Sequence, residues 1–385
     1  MTGRTVLIIP AYEPDERLVQ LMGELAGHGV ERIILIDDGS GDAYRDIFER
    51  AVQVYKDKYD LRSGGDTIQT ETTDASCHAD RSPAGDGGAP YIMLLSHEKN
   101  CGKGRALKTA MAYALEQFPD LAGCVTADSD GQHHAEDILR VGEALTENED
   151  ALILGVRTFE GMDVPWKSRT GNTITRFVFR LLTGISTQDT QTGLRGIPAA
   201  LMRECLDLPG ERFEFETQML MACKDRFPVR DLPIRTIYDS AEHHSTHFDP
   251  FADSFKIYRV LLGDFIRYLF SSVSSFVVDI LLFRLFAALL PSAAWRLLAA
   301  TVCARVLSSC YNYAVNRIFV FKSKKRAGRT FFSYALLACC IMLASGGCLT
   351  LFMHLFPGAD ETAAKVVIDA ILFFVSYFVQ KRVVF

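Results

Sequence analysis

The chain has 385 residues, 49% of them hydrophobic, and a formal net charge of −6. That balance excludes a chain built to grip the phosphate backbone of nucleic acids, and the length suffices for two domains. Ten cysteines occur without a C-x-x-C pair and five lie in apolar C-terminal segments, so they read as reduced, buried thiols and not as a disulfide framework or zinc site.

The first predicted element is a buried strand, Thr5 to Pro10, followed by the loop Ala11-Tyr12-Glu13-Pro14. This opening lacks a charged-then-apolar leader, which argues against a cleaved signal peptide. A helix to about Gly27 and a strand from Arg32 to Ile36 complete a βαβ unit. The second strand runs into Asp37-Asp38-Gly39-Ser40. Open parallel sheets bind ligands beyond the carboxyl ends of their strands. Carboxylates there suit a base or a ribose hydroxyl, although Asp, Gly and Ser also make ordinary turns and helix caps.

Residues 63–88 are rich in Gly, Ser, Thr and Asp without helical or strand period and read as a flexible surface insertion. A strand from Tyr91 to Leu95 leads through Asn100-Cys101-Gly102-Lys103-Gly104 into a helix expected over Ala106–Phe118, with Lys103 near a donor phosphate. The pattern is neither a P-loop nor G-x-G-x-x-G. The next strand, Gly123 to Ala127, ends at Asp128-Ser129-Asp130-Gly131-Gln132-His133. Two carboxylates one residue apart at a strand end suit a hard divalent cation that also holds substrate phosphates. Adjacent His133 and His134 point apart and do not make a transition-metal pair. Arg157 after the strand Ala151–Leu154, and Arg169 and Thr173 around an expected helix start, are candidates for clamping an anion. Asp189-Thr190-Gln191-Thr192-Gly193-Leu194-Arg195-Gly196 and Phe213-Glu214-Phe215-Glu216 follow, the glutamate among aromatics reading as a loop-orienting group.

Asp249 to Phe270 sets Phe251, Phe255, Tyr258, Leu261 and Leu262 among Lys256, Arg259 and Arg267, an amphipathic stretch suited to a membrane surface. Beyond it lie four apolar segments, Phe265–Leu290, Ala293–Tyr313, Phe331–Phe356 and Ala364–Val379, the last the shortest. The connection from Arg317 to Arg329 carries six basic residues and the connections Pro291–Ala293 and Pro357–Thr362 carry none. The positive-inside bias therefore puts the middle connection, both ends of the bundle and the N-terminal half in the cytosol. Asn312-Tyr313-Ala314-Val315-Asn316-Arg317 through Phe321 echoes Ser376-Tyr377-Phe378-Val379-Gln380-Lys381 through Phe385, which suggests two related hairpins. Asp or Arg at a helix centre costs roughly 2.5–3.5 kcal/mol on insertion scales, so Asp279 and Arg305 are expected to pair across helices.

The ordered motifs P-A-Y-E, D-D-G-S, G-K-G-x-A-L-K, D-S-D-G-Q-H, G-x-R, S-R-x-x-N, D-T-Q-T-G-x-R-G and F-E-x-E resemble family 2 glycosyltransferases of the dolichol-phosphate mannose synthase and bacterial polyprenyl-phosphate glucosyltransferase type. The resemblance spans nearly all of residues 4–240. It implies that Asp128, Asp130 and Gln132 meet a Mg²⁺ or Mn²⁺ ion and the donor diphosphate, with Ser129 and Lys103 beside them. It further implies that Pro10, Ala11, Tyr12, Glu13 and Asp38 line the nucleotide pocket, that Arg157, Arg169 and Thr173 meet the acceptor phosphate, and that Arg195 lies near the donor. The catalytic set under that resemblance is Asp130, Arg157, Arg169 and Arg195. The C-terminal half resembles GtrA-like membrane proteins through Asp279-Ile280-Leu281-Leu282-Phe283 and Arg305…Asn312…Asn316-Arg317…Phe319-Val320-Phe321. It implies a role in handling or flipping lipid-linked sugars.

The expectation is an α/β, GT-A-type (Rossmann-like) catalytic domain over 1–240, an amphipathic interfacial linker over 241–264 and an all-α four-helix membrane domain over 265–385. The expected activity is inverting transfer of a hexose from a UDP-glucose- or GDP-mannose-type donor to a polyprenyl phosphate at the cytosolic face of the plasma membrane. Homo-oligomerisation stays open. The alternative is a lipid-linked-sugar transporter with an inactive, regulatory glycosyltransferase-like domain. A processive polysaccharide synthase would carry Q-x-x-R-W, and neither Trp166 nor Trp295 lies in one.

Overall fold

The structure, a computed structural model, describes residues 4–63, 69–74, 91–157, 179–180, 184–235, 252–291 and 294–385. Side chains of 62–63, 69–74, 252–258 and 261 are outside that description. The chain divides into two compact units at Leu261/Leu262.

The first unit is built on β1 (Thr5–Ala11), whose seven residues are all buried. Alternate side chains leave opposite faces of a strand. Leu7 and Ile9 join a core with α1 (Glu16–His28) and α2 (Arg45–Ser63), while Val6 and Ile8 are buried at 0% exposure outside that cluster. Burial on both faces is why the strand reads as an unbroken apolar run. Helix α1 starts where the Asp15 carboxylate accepts from Arg17 N and stops at Gly29, whose φ of 72° is the left-handed cap that glycine adopts freely.

β2 (Arg32–Asp37), β3 (Gln69–Asp74), β4 (Tyr91–Ser96), α3 (Lys103–Gln117), β5 (Gly123–Thr126), α4 (Ala135–Glu147), β6 (Leu152–Arg157), β7 (Arg195–Pro198), α5 (Ala199–Cys205), α6 (Glu214–Ala222) and β8 (Val229–Ile234) follow. They form one eight-stranded sheet in the order β3-β4-β2-β1-β5-β7-β6-β8, parallel except where β7 runs antiparallel to both neighbours. The chain first builds outward from β1 through β2 and then returns to β1's other side as β5. That reversal opens a crevice at the carboxyl ends of β1 and β5, the switch point where open α/β sheets bind ligands. Thr126 pairs in register with Ile8, so Asp128 leaves the sheet level with Pro10.

One expectation needs correction. The stretch 63–88, read as lacking periodic structure, contributes β3 along the sheet edge, parallel to β4. Thr70, Thr72 and Thr73 are β-branched and favour a strand once β4 offers a hydrogen-bonding edge. Residues 75–90 lie outside the described residues.

Four further helices follow, α7 (Ala252–Leu289), α8 (Arg296–Val315), α9 (Ala327–Leu355) and α10 (Glu361–Val379), of which the second unit takes α7 from Leu262 onward and the rest. The amphipathic stretch is not a separate element from Ala252 onward, because α7 runs through it without a break. Among the described residues, three helices are long and apolar enough to cross a membrane: Leu262–Leu289, Ala327–Leu355 and Glu361–Val384. The last segment thus extends well beyond the short span expected, and α8, interrupted by Arg305, Ser308 and Ser309, is the less apolar one. Phe270, Phe332 and Leu343 are each at least 70% exposed, as suits side chains that meet lipid.

The echo between hairpins is structural. α8 ends in a π-helical turn over Asn316–Val320 and α10 in another over Gln380–Val384. Asn316 Nδ2 donates to Gln380 Oε1 at 3.0 Å across a 64-residue separation, and Phe321 stacks on Phe385 at 5.2 Å with the same offset. Residues that correspond in the two hairpins thus touch one another, as they do near a pseudo-two-fold axis between repeats. The expected interhelical pair also forms: Arg305 Nη2 lies 3.3 Å from Asp279 Oδ2, and Ser308 Oγ donates to the same carboxylate at 2.8 Å.

Gly123 offers a sharp test of the β5–β7 junction, because a Cβ there would stand 2.2 Å from Ile197 O in the backbone of β7. Gly123→Ala is expected to force the two strands apart and to cost about 2 kcal/mol, read as a lowered thermal midpoint of the full chain in detergent.

Candidate active site

The site begins with Asp38. It is 3% exposed, and its carboxylate accepts from Gly102 N at 2.7 Å and Cys101 N at 3.0 Å, with His97 Nδ1 at 2.7 Å. Gly102 precedes the first turn of α3, so a carboxylate from the end of β2 caps that helix from across the crevice. Asp38 was expected to contact the donor; both its oxygens are engaged inside the protein, because the open N-terminus of α3 needs an acceptor. Gly102 sits at φ 99° with a would-be Cβ 2.4 Å from Glu211 O, a place only glycine fits. Asp38, His97 and Cys101 bring three metal-ligand types together. However, His97 Nε2 also lies 3.1 Å from Thr109 Oγ1 and Cys101 Sγ donates to Lys99 O, so the group is a hydrogen-bonded lock.

Beside it, Asp37 is half-buried and accepts from Ser40 N and Ser40 Oγ, while Ser40 Oγ accepts from Glu13 N at 2.8 Å. The Tyr12–Glu13 loop is thereby tied to the end of β2. Pro10 and Ala11 are buried within β1, and Tyr12 and Glu13 are half-exposed at its end. A hydrogen bond to the Glu13 carboxylate holds the Tyr12 phenol above its ordinary range.

α3 starts three residues earlier than expected, which places Lys103 in its first turn. A cation at a helix N-terminus opposes the dipole. Two carboxylates reverse that balance: Lys103 Nζ lies 2.6 Å from Asp128 Oδ1 and 2.8 Å from Glu216 Oε1. Burial works against the ammonium, yet Asp128 and Glu216 outweigh it and hold the lysine above its usual range. Burial likewise opposes charge on Asp128, and Lys103 and His133 together hold that carboxyl well below the usual range. Asp130 goes the other way: burial and then the Asp128 charge raise it. A pair of carboxylates pushed apart in this way marks a functional site.

The turn is braced from several sides. Gln132 N donates to Asp130 Oδ1 at 3.1 Å, and His133 Nε2 lies 3.7 Å from Asp128 Oδ2. Thr126 Oγ1 donates to Gly193 O, and a Cβ on Gly193 would fall 2.1 Å from Asp128 Oδ2, so this glycine makes room for the carboxylate. Gly131 packs against the Arg17 side chain, which carries a guanidinium to this edge. Arg17 carried no sequence signal, Asp189 and Gly193 were noted only as part of the D-T-Q-T-G run, and His133 only as the end of D-S-D-G-Q-H.

Arg195 was expected near the donor. It is 1% exposed and bonds Thr192 O at 2.8 Å, Glu216 O at 2.9 Å and Thr190 O at 3.3 Å. Its guanidinium organises the 189–195 loop and the start of α6, because a buried cation takes every nearby carbonyl. Arg157, at the end of β6, lies with Nε 2.6 Å from buried Asp189 Oδ2. Arg169 and Thr173 lie outside the described residues. Tyr12, Glu13, Lys103, Asp128, Ser129, Asp130 and Gln132 thus lie at the ends of β1 and β5 and the start of α3, while the Asp38 carboxylate and the Arg195 guanidinium are bonded to neighbouring backbone.

Residues 267–385 match the GtrA/DPMS transmembrane domain family. The chain is 28% identical over 262 residues to the UDP-N-acetylglucosamine–dolichyl-phosphate N-acetylglucosaminyltransferase of Methanococcus voltae, an alignment covering 66% of this chain and 94% of that protein. It is 23% identical over 249 residues to the glycosyltransferase AglJ of Haloferax volcanii, covering 64% of this chain and 67% of that one. Among solved structures, residues 1–349 of S. aureus TarS align over 96% of this chain and 90% of their own, at 13% identity and a TM-score of 0.36.

Lys103→Met would leave Asp128 and Glu216 facing each other without their shared cation. A loss of about 3 kcal/mol is expected, seen as a lowered thermal midpoint, and Lys103→Arg should recover part of it.

Proposed function

We propose that this chain, which joins a glycosyltransferase-type domain to a GtrA-like membrane domain, transfers a hexose from a nucleotide-sugar to a polyprenyl phosphate at the cytosolic membrane face. The observation that carries the reading is the carboxylate pair Asp128 and Asp130 at the β1/β5 switch point, with Lys103 on one side. The Methanococcus voltae relative is named for substrates of this class, a dolichyl phosphate and a UDP-sugar.

The donor set fits a divalent cation. Burial and then the neighbouring Asp128 charge disfavour the Asp130 carboxylate, which a cation beside the two would offset, and an ammonium already lies against Asp128. Asp128 and Asp130 would hold Mg²⁺ or Mn²⁺, with Gln132 at the turn. When bound, the ion supplies charge neutralisation to the leaving diphosphate. This chain's own residues do the rest. Tyr12 and Glu13 position the nucleoside at the end of β1. Arg157, fixed by Asp189, together with Arg169 and Thr173, orients the acceptor phosphate. One phosphate oxygen of the lipid forms the new bond to the anomeric carbon as the bond from that carbon to the donor diphosphate breaks. The configuration inverts and a nucleoside diphosphate leaves. A phosphate monoester is largely ionised at neutral pH, its second pKa being about 6, so attack needs no general base. Positioning and charge stabilisation carry the rate.

Transfer of radiolabelled hexose into a lipid extract should fall more than a hundredfold in excess EDTA and in Asp130→Asn. Full activity in either condition removes the metal role. Arg169→Ala should raise the KM for polyprenyl phosphate about tenfold or more and leave donor affinity nearly unchanged; the reverse pattern overturns its assignment to the acceptor. If wild type transfers no sugar from any nucleotide donor yet moves lipid-linked sugar across vesicles, the regulatory-domain alternative holds.

Orientation has its own test. A reporter active only in the cytosol should work when fused after Phe385 or within 322–326 and fail when inserted at Gly358. Activity at Gly358 would reverse the topology.

A further inference from the structure

The second unit holds an open pocket of about 420 Å³, lined mainly by α9 and α10, within the roughly 300–1,000 Å³ of small-molecule sites. Tyr268 and Asn312 come to it from the first repeat, Tyr334, Ser376 and Gln380 from the second. Repeat interfaces are where membrane transporters hold their cargo. Along α10 and its terminal turn the lining runs from Gln380 to Asp369, three turns or about 16 Å. That is half of a hydrocarbon core about 30 Å thick.

The chemistry of the lining is selective. Among the described residues no Lys or Arg lines the cavity, so a phosphate would meet hydroxyl and amide donors there but no cation in the lining. Its polar groups are neutral hydroxyls and amides in one connected chain. Tyr334 Oη donates to Asn312 Oδ1 at 2.9 Å, and Gln380 Nε2 donates to Ser376 Oγ at 3.0 Å and Tyr268 Oη at 3.3 Å. Asn316 bonds both Asn312 and Gln380, yet its fully buried Oδ1 has no donor. At the deep end, Asp369 is the one charged lining residue, bonded to Ser345 and paired with Lys365 at 2.9 Å. Tyr268 and Phe373 pack at 5.0 Å and supply aromatic surface. Hydroxyls, amides, a carboxylate and aromatic faces are what a sugar ring binds, its hydroxyls by hydrogen bonds and its C–H faces by apolar contact. An acyl or prenyl chain would leave those polar groups facing hydrocarbon, which costs free energy.

We propose that this cavity binds an uncharged hexosyl group and receives the sugar end of the glycolipid product, an assignment that rests on the function proposed above. The phosphate and prenyl chain of that lipid stay outside the lining.

The test uses the full chain in detergent and three probes: citronellyl phosphoglucose, citronellyl phosphomannose and bare citronellyl phosphate. At least one glycosylated probe should bind about tenfold tighter than bare phosphate by thermophoresis. Ala338→Phe and Ile341→Trp, both adding bulk to the lining, should each reduce that preference to near unity. A probe with a diazirine on its sugar should label peptides from α9 or α10, a readout that does not need either variant to fold. Equal affinity for bare and glycosylated probes, an unchanged preference in folded variants, or labelling confined to residues before Leu261 overturns the proposal. Hexose transfer by wild type is assayed in parallel. Absence of transfer with the cavity preference intact removes the catalytic reading alone.

Discussion

One ammonium group organises the catalytic unit. Lys103 sits between Asp128 at the end of β5 and Glu216 in α6, and it belongs to the first turn of α3. Three elements distant in sequence therefore meet through one charge. The arrangement needs both carboxylates, because a lysine at a helix N-terminus is otherwise unfavourable. It also needs Asp38, which caps α3 from the opposite side and fixes where that first turn begins. Glu216 continues the chain of charge toward Arg195, whose guanidinium lies 3.9 Å away and collects the carbonyls of the 189–195 loop. The loop in turn holds Gly193 against Asp128 and Asp189 against Arg157. Removing any one group leaves another buried charge without its partner, and such losses are steep in a low-dielectric interior.

The membrane unit solves a different problem with similar means. Lipid offers no hydrophobic reward for helix association, so polar contacts and close packing specify it. Here the polar contacts are distributed by the repeat. Each hairpin pairs one acidic group with a basic and a hydroxyl partner: Asp279 with Arg305 and Ser308, and Asp369 with Lys365 and Ser345. At the other end, the two π-helical turns bring Asn316 and Gln380 together. Between these two levels the helices leave a cavity lined by apolar residues such as Leu337, Ile341 and Phe373 together with hydroxyls, amides and the Asp369 carboxylate.

Much of this was legible in the sequence because it rests on local patterns. Unbroken apolar runs ending in Pro10, Asp37 and Thr126 mark buried strands whose carboxyl ends carry polar residues, and parallel βαβ units must present those ends on one edge. Asp128 and Asp130 could therefore be placed just beyond the carboxyl end of a buried strand from sequence position alone. The Asp279–Arg305 pair was legible too, since an unpaired charge deep in an apolar helix is costly. The internal echo also survived translation into structure, as equivalent turns and touching equivalent residues.

What only the tertiary structure decided is which polar groups face a ligand and which hold the protein together. Asp37 and Asp38 are adjacent and chemically identical, yet one is half-buried at the crevice and the other caps a helix 63 to 64 residues away. Arg157 looked like an anion clamp and Arg195 was expected near the donor, and the latter is sealed among backbone carbonyls. Threonines within 69–74 became an edge strand because β4 supplied a hydrogen-bonding partner that no local pattern announces. Sequence fixes the chemistry of a side chain and the period of its element. Its role depends on whether unsatisfied donors from remote segments arrive within hydrogen-bonding distance, and that is a property of the folded arrangement alone.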